Sequence, residues 1–242
     1  MWKKVLIFIL AITILFTFAA CSNEEEQVPT EKSDEAEGTQ IDQFAGLASA
    51  DYAKLMRSEK FYLTYTMYTM GMDFEGSQAV ADGKTASKVD MFGTEMFTIV
   101  DDGVMYDIDT ESQTYTVTEL KEEEKSNYET DYTDLVYVDS GNSTITSLVD
   151  AGVDSESYDY DEFVIDIELS AMDEEDLADL QEAGIDTTGK LTIRYYLNKD
   201  GSLYAIVSTI MDVESVMVIH QLTDQIPDDM LDIPAEYVEA EE

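Results

Sequence analysis

The chain opens with an apolar run and then alternates between two hydrophobic periods. Val5 to Ala20 carries no charge and follows Lys3 and Lys4. Ser22 to Gln40 is polar and acidic, with Pro29 and Gly38. From Ile41 to Arg57 the residues Phe44, Leu47, Ala48, Asp51, Tyr52 and Leu55 fall at three- and four-residue steps, a mostly apolar stripe that predicts a helix. The period then drops to two. Phe61, Leu63, Tyr65 and Met67 alternate with Tyr and Thr, which predicts a strand with those four side chains on one face.

A series of short strands follows, separated by turn residues. Gln78–Val80 and Ala86–Met91 flank Asp82-Gly83, Glu95–Val100 and Val104–Ile108 flank Asp101-Asp102-Gly103, and Tyr115–Thr118 comes after a polar turn at 109–113. Consecutive hairpins of this kind form an antiparallel meander. The middle is less regular. Glu119–Asp134 reads as a loop or a solvated helix, Ser143–Ala151 as a short helix, and Phe163–Leu169 as a strand. Met172–Ala183 reads as a helix with acids in its first turn and Gly184 at its stop. Leu191–Leu197 and Leu203–Met211 form a hairpin across Asn198-Lys199-Asp200-Gly201, and Val216–Leu222 is the last strand. No repeated strand–helix alternation supports a nucleotide-binding sheet or a transporter's solute-binding subunit.

The N-terminal run has the layout of a secretory signal: a positive start, an apolar stretch, and small residues before a cysteine. It falls short of the roughly 18 to 20 apolar residues of a spanning helix. Phe18-Ala19-Ala20-Cys21 resembles the bacterial lipobox, with Phe18 where the family usually has Leu. The resemblance implies cleavage between Ala20 and Cys21 and diacylglycerol on the Cys21 thiol. Two acyl chains suffice for stable anchoring. The expected organisation is a signal peptide over 1–20, a lipidated cysteine and acidic tether over 21–40, and one β-rich domain over 41–242. As a flexible coil the tether reaches about 25 Å. The expected location is the extracytoplasmic face of a cell membrane.

Charge narrows the partners. The chain has 13 Lys+Arg against 54 Asp+Glu, a net charge of −41. Removal of Lys3 and Lys4 with the signal leaves 11 basic against 54 acidic side chains, or −43. No basic patch exists to displace counterions from phosphates, so nucleic acid is excluded as a partner. An anionic leaflet repels such a body, and membrane attachment falls to the lipid. With 44% hydrophobic residues, the chain nevertheless has the composition of a globular domain.

Candidate chemistry is sparse. His220 is the sole histidine and Cys21 the sole cysteine, which makes neither a zinc site nor a catalytic triad. Acidic runs at Glu122–Glu124, Asp154–Asp161 and Asp173–Asp176 could supply calcium oxygens, but EF-hand spacing is not met. From Asp107 onward, Ser112 stands where Gly is required and Thr118 where Glu is required. These runs read as solvated faces. No phosphate loop, GxSxG or CxxC is present. Neither catalysis nor a metal or other cofactor is expected. Met67, Met70, Met72, Met91, Met96 and Met105 gather in the first strands, and methionine suits both a flexible core and a pocket for varied hydrocarbon chains.

The order of elements is similar to uncharacterised Gram-positive lipoproteins of the lipoprotein-carrier (LolA-like) superfamily. It runs lipobox, acidic tether, amphipathic helix, Thr/Tyr/Met-rich first strand, strand-DDG-strand with Met105-Tyr106-Asp107, late NKDG hairpin and closing Ile-Pro segments. The resemblance spans about residues 41–238 and implies an α+β, mostly β fold. That fold is a curved antiparallel sheet, a half-open barrel, with helices on the concave face. It also implies either a hydrophobic or acyl ligand in that concavity, or an envelope protein as partner. Phe61, Leu63, Tyr65, Met67 and Met96 are the expected pocket residues.

Overall fold

The computed structural model describes residues 44–56, 58, 60–120, 135–166, 189–210 and 213–240. In it the first half of the chain is a run of tight hairpins. β1 (Lys60–Thr69), β2 (Met72–Ala81), β3 (Lys84–Met91), β4 (Thr94–Asp101) and β5 (Val104–Asp109) are joined by two-residue turns. The turn pairs Met70-Gly71, Asp82-Gly83, Phe92-Gly93 and Asp102-Gly103 all have positive φ at both positions. This is the type I′ geometry, whose twist matches that of the strands it joins. β6 (Thr114–Glu119) follows a longer turn in which Asp109 Oδ1 accepts the N–H groups of Glu111 and Ser112.

The second half builds a further meander from β7 (Val136–Ser143), β8 (Tyr158–Asp166), β9 (Lys190–Leu197), β10 (Leu203–Ile210) and β11 (Val213–Thr223). β11 returns to pair with β1, and a short β12 (Val238–Glu239) adds in parallel to β6. The result is one curved 12-stranded sheet in the order β12-β6-β5-β4-β3-β2-β1-β11-β10-β9-β8-β7. It does not close on itself. This is the mostly β, half-open barrel that the sequence led us to expect.

Each face of the sheet is covered by a different part of the chain. The inner, concave face of β1 and β8–β11 is filled by residues 44–49 and the helix α1 (Ala50–Met56), which pack on Phe61, Leu63, Met67, Phe163, Ile193 and Met217. Phe44 stacks on Phe163 at 4.4 Å and meets Tyr195 edge-on. The helix is shorter than its apolar stripe suggests. Gly46 lies at φ +84, so the chain before it turns, and Ala48 is exposed while Ser49 is buried.

The outer face has two covers. α2 (Thr146–Asp150) sets Leu148 against Tyr196, Val207 and Val216, so the second described helix lies on the opposite face from α1. The C-terminal segment crosses β2–β6, with Ile226, Met230, Leu231 and Ile233 on Ala79, Ala86, Ile99 and Ile108. The paired alanines Ala79 and Ala86 let this segment approach the sheet closely. The expected helix at Met172–Ala183, and most of Glu119–Asp134, lie outside the described residues.

Candidate functional site: an open trough on the inner face

The cover supplied by α1 ends before β3. Beyond it, the inner face of β3–β6 encloses a trough of about 810 Å3, within the range of small-ligand sites. Strand alternation sets its lining. Val89 and Met91 of β3, Met96 and Val100 of β4 and Met105 of β5 form an apolar floor. Between them stand the hydroxyls of Thr85, Ser87, Thr94, Thr98, Thr114 and Thr116. Among the described residues, the charged ones on the lining are Glu95, Asp107, Asp109 and Glu111, all acidic. Asp107 Oδ1 accepts the hydroxyl of Thr98 at 3.1 Å. Hydrogen bonds from the Ser112 backbone and hydroxyl hold the Asp109 carboxyl below its ordinary value, so it stays charged.

The boundary between the filled and open halves falls on β2. Tyr65, Gly76, Val89 and Met96 form one cross-strand row over β1–β4. Gly76 has no side chain on this row, and the Tyr65 ring occupies the space. A Cβ on Gly76 would stand 2.4 Å from Tyr65 Cζ and 2.5 Å from its hydroxyl oxygen. That hydroxyl is buried, has no hydrogen-bond partner, and its pKa is pushed up to about 12 by burial. On the next row, fully buried Gln78 stands between Leu63 and Ser87.

The expected pocket residues therefore divide. Phe61, Leu63, Tyr65 and Met67 come together on the inner face of β1, at most 1% exposed, in the core beneath α1. Met96 is 40% exposed and lines the trough. The row through Gly76 links Met96 to Tyr65. Met91 and Met105 stood in the methionine group read as suiting either core or pocket but not among the expected pocket residues, and Val89 and Val100 were in neither. The signal was present, since each keeps the alternation of its strand on the same face as Met96. Cys21 and Ala20 lie outside the described residues, as do Glu122–Glu124 and Asp173–Asp176.

The remaining candidates are dispersed. His220 is exposed on β11 with Nε2 2.7 Å from the Thr66 hydroxyl. The Asp154–Asp161 run splits between roles. Asp154 accepts the hydroxyls of Tyr158 and Tyr204, Asp159 accepts the Asn142 amide, and Asp161 is buried beneath the chain before α1. Among the described residues, no three His, Cys, Asp or Glu side chains gather to hold a metal ion.

No family model matches the chain, and no curated protein sequence matches it. Solved structures do. An uncharacterised conserved protein from Thermus thermophilus is similar over 78% of this chain and 98% of its own, at 7% identity and a TM-score of 0.43. LprF from Mycobacterium bovis is similar over 74% of this chain and 90% of its own, at 10% identity and a TM-score of 0.37. MucB in the Pseudomonas aeruginosa MucA/MucB complex is similar over 83% of this chain and 62% of its own, at 14% identity and a TM-score of 0.37.

Proposed function

We propose that this chain is a lipid-anchored extracytoplasmic lipoprotein that holds a hydrophobic or acyl ligand in the trough of β3–β6. The trough itself carries the reading. Among the described residues, the same sheet face that is packed core over β1 and β8–β11 stays open over β3–β6, with a floor of methionine and valine. An apolar hollow of this size binds hydrocarbon by removing it from water. Methionine side chains adapt to chains of different shape. Anchoring rests on Cys21 and the apolar run before it.

The test is mass spectrometry of lipids co-extracted with the full chain from bacterial membranes. Met96 is partly exposed, so Met96→Asp should leave the core intact and remove a co-purifying acyl lipid. A bound lipid unaffected by Met96→Asp and Val100→Asp would place the ligand elsewhere. Absence of any enriched lipid would remove the carrier reading. Cys21→Ser should abolish incorporation of labelled fatty acid into the chain and leave it with its N-terminal apolar run uncleaved.

A second reading has its own observation. β7 ends the sheet, pairing with β8 alone among the described strands, and Val136 and Val138 on it are 57% and 50% exposed. Such an edge accepts an added strand from a protein partner. Strand addition would be blocked by Val138→Pro and left unchanged by Met96→Asp, which separates the two readings.

A further inference from the structure

The inner end of the trough is backed by a hydroxyl with nothing to bond. Tyr65 is 1% exposed and its hydroxyl oxygen has no partner. Buried tyrosine hydroxyls normally find one, and an orphan is costly enough to need a reason. Its position suggests the reason. The ring tip lies over Gly76, and the residue on the far side of Gly76 is Val89, which lines the trough. Adjacent strands are about 4.8 Å apart, so the hydroxyl stands about one strand spacing behind the trough wall. A ligand group entering past Val89 would meet it.

The chemistry of that group follows from the surroundings. Burial keeps the phenol protonated, with its pKa pushed up to about 12, so it acts as a hydrogen-bond donor and calls for an acceptor. The acceptor must be uncharged. The charged groups on the lining are the carboxylates of Glu95, Asp107, Asp109 and Glu111, with no Lys, Arg or His among the described lining residues. The chain as a whole carries −41. A carboxylate or phosphate head would be repelled and left without a counter-charge.

We infer that Tyr65 is the polar recognition residue of the trough, donating its phenolic hydrogen to the carbonyl oxygen of a neutral acyl ester whose hydrocarbon chain lies over Met96 and Met105. This rests on the trough being a ligand site, and it specifies the ligand class and the residue that selects it.

The test uses the full chain in bacterial membranes, labelled with two diazirine probes of equal chain length, a monoacylglycerol and a free fatty acid. Labelled peptides are located by mass spectrometry. In the wild type the monoacylglycerol should label β3–β5 at concentrations about tenfold below the fatty acid. Tyr65→Phe should weaken ester labelling about tenfold, equivalent to about 1.4 kcal/mol. It should also unfold at the same or a higher temperature, because it removes only an unpartnered polar atom. Unchanged ester labelling in Tyr65→Phe, or a preference for the fatty acid, overturns the assignment of Tyr65 while leaving the trough reading in place. A lower unfolding temperature for Tyr65→Phe overturns it too, by showing that the hydroxyl already has a structural role. Failure of both probes to label β3–β5 overturns both readings.

Discussion

Asp161 Oδ2 accepts the backbone N–H of Ser49 at 2.9 Å, joining the chain that leads into α1 to a strand 112 residues away. The other oxygen of the same carboxylate accepts the Ser140 hydroxyl at 2.6 Å. Asp161 is 4% exposed and Ser49 is fully buried, so the bond between them lies out of water, whereas Ser140 stands at the exposed edge strand. The two bonds hold the cover of the filled half at its start, where Gly46 leaves the chain without a helical turn of its own. Asp161→Ala strands the buried Ser49 N–H, while the exposed Ser140 hydroxyl keeps Tyr137 as a partner, and a lost bond to a charged group with an orphaned buried donor costs about 2–3 kcal/mol. Chemical denaturation should show that loss, and amide exchange should rise first in residues 47–56. Asp161→Asn keeps an acceptor oxygen and should lose less. Equal stability of Asp161→Ala and the wild type would contradict this account of α1 docking.

Gly76 and Tyr65 make a matched pair across β1 and β2. A methyl group at Gly76 would overlap the Tyr65 ring at 2.4 Å. The ring is enclosed by core and cannot swing into solvent, so Gly76→Ala should destabilise by about 1–3 kcal/mol, the range for overpacking. Tyr65→Leu removes the obstruction and leaves a cavity of its own. The double variant should therefore be more stable than the sum of the two single losses, by more than about 0.5 kcal/mol. Additive losses in a double-mutant cycle would mean that the close approach is relieved elsewhere.

The Phe92-Gly93 turn places a bulky aromatic residue at φ 58 with 81% of its surface exposed. The left-handed region costs an ordinary L-residue about 1–2 kcal/mol, and Asn tolerates it far better. Little burial is lost on replacement. Phe92→Asn should raise stability by about 1 kcal/mol, and the bond from the Gly93 N–H to Asp90 Oδ1 should persist. Thermal unfolding reads this directly. If Phe92→Asn instead weakens uptake of the acyl probes, the exposed ring at the β3–β4 tip serves the trough mouth and the turn strain is maintained for binding.

How much of this was legible in the sequence depends on which side chains carried a periodic signal. β1, β4, β5, β9 and β10 have clear alternation or glycine-marked turns, and the expected strands there agree with the structure to within a few residues. Asp82-Gly83 and Asp102-Gly103 announced their hairpins, whereas Met70-Gly71 and Phe92-Gly93 did not, because their first residues are unusual at positive φ. β7 and the start of β8 were missed because Asp139, Asp159 and Asp161 break the apolar pattern. Only the fold shows that Asp161 is buried and hydrogen-bonded. The Ile-Pro segments gave no hint that they cross the outer face. The trough was partly legible. Met96 was identified, but its separation from Phe61, Leu63 and Met67 depends on where α1 stops, and no local pattern sets that.

Asp154 should make the outer face acid-sensitive. Burial alone would raise its pKa, but the N–H of Glu156 and the hydroxyls of Tyr158 and Tyr204 outweigh that and leave it lowered. The two rings stack at 4.2 Å, each donating to Asp154 Oδ2. A carboxyl whose folded pKa is depressed adds stability above its unfolded value near 3.9, and the contribution disappears as pH falls through the folded pKa. Acid titration of the wild type should thus show a loss of stability below about pH 4 that Asp154→Asn lacks. At neutral pH Asp154→Asn should already be the weaker protein, because the amide accepts fewer hydrogen bonds than the carboxylate. The two stability curves should converge on the acid side. Parallel curves from pH 7 down to pH 3 would show that Asp154 does not tie α2's trailing loop to β8 and β10.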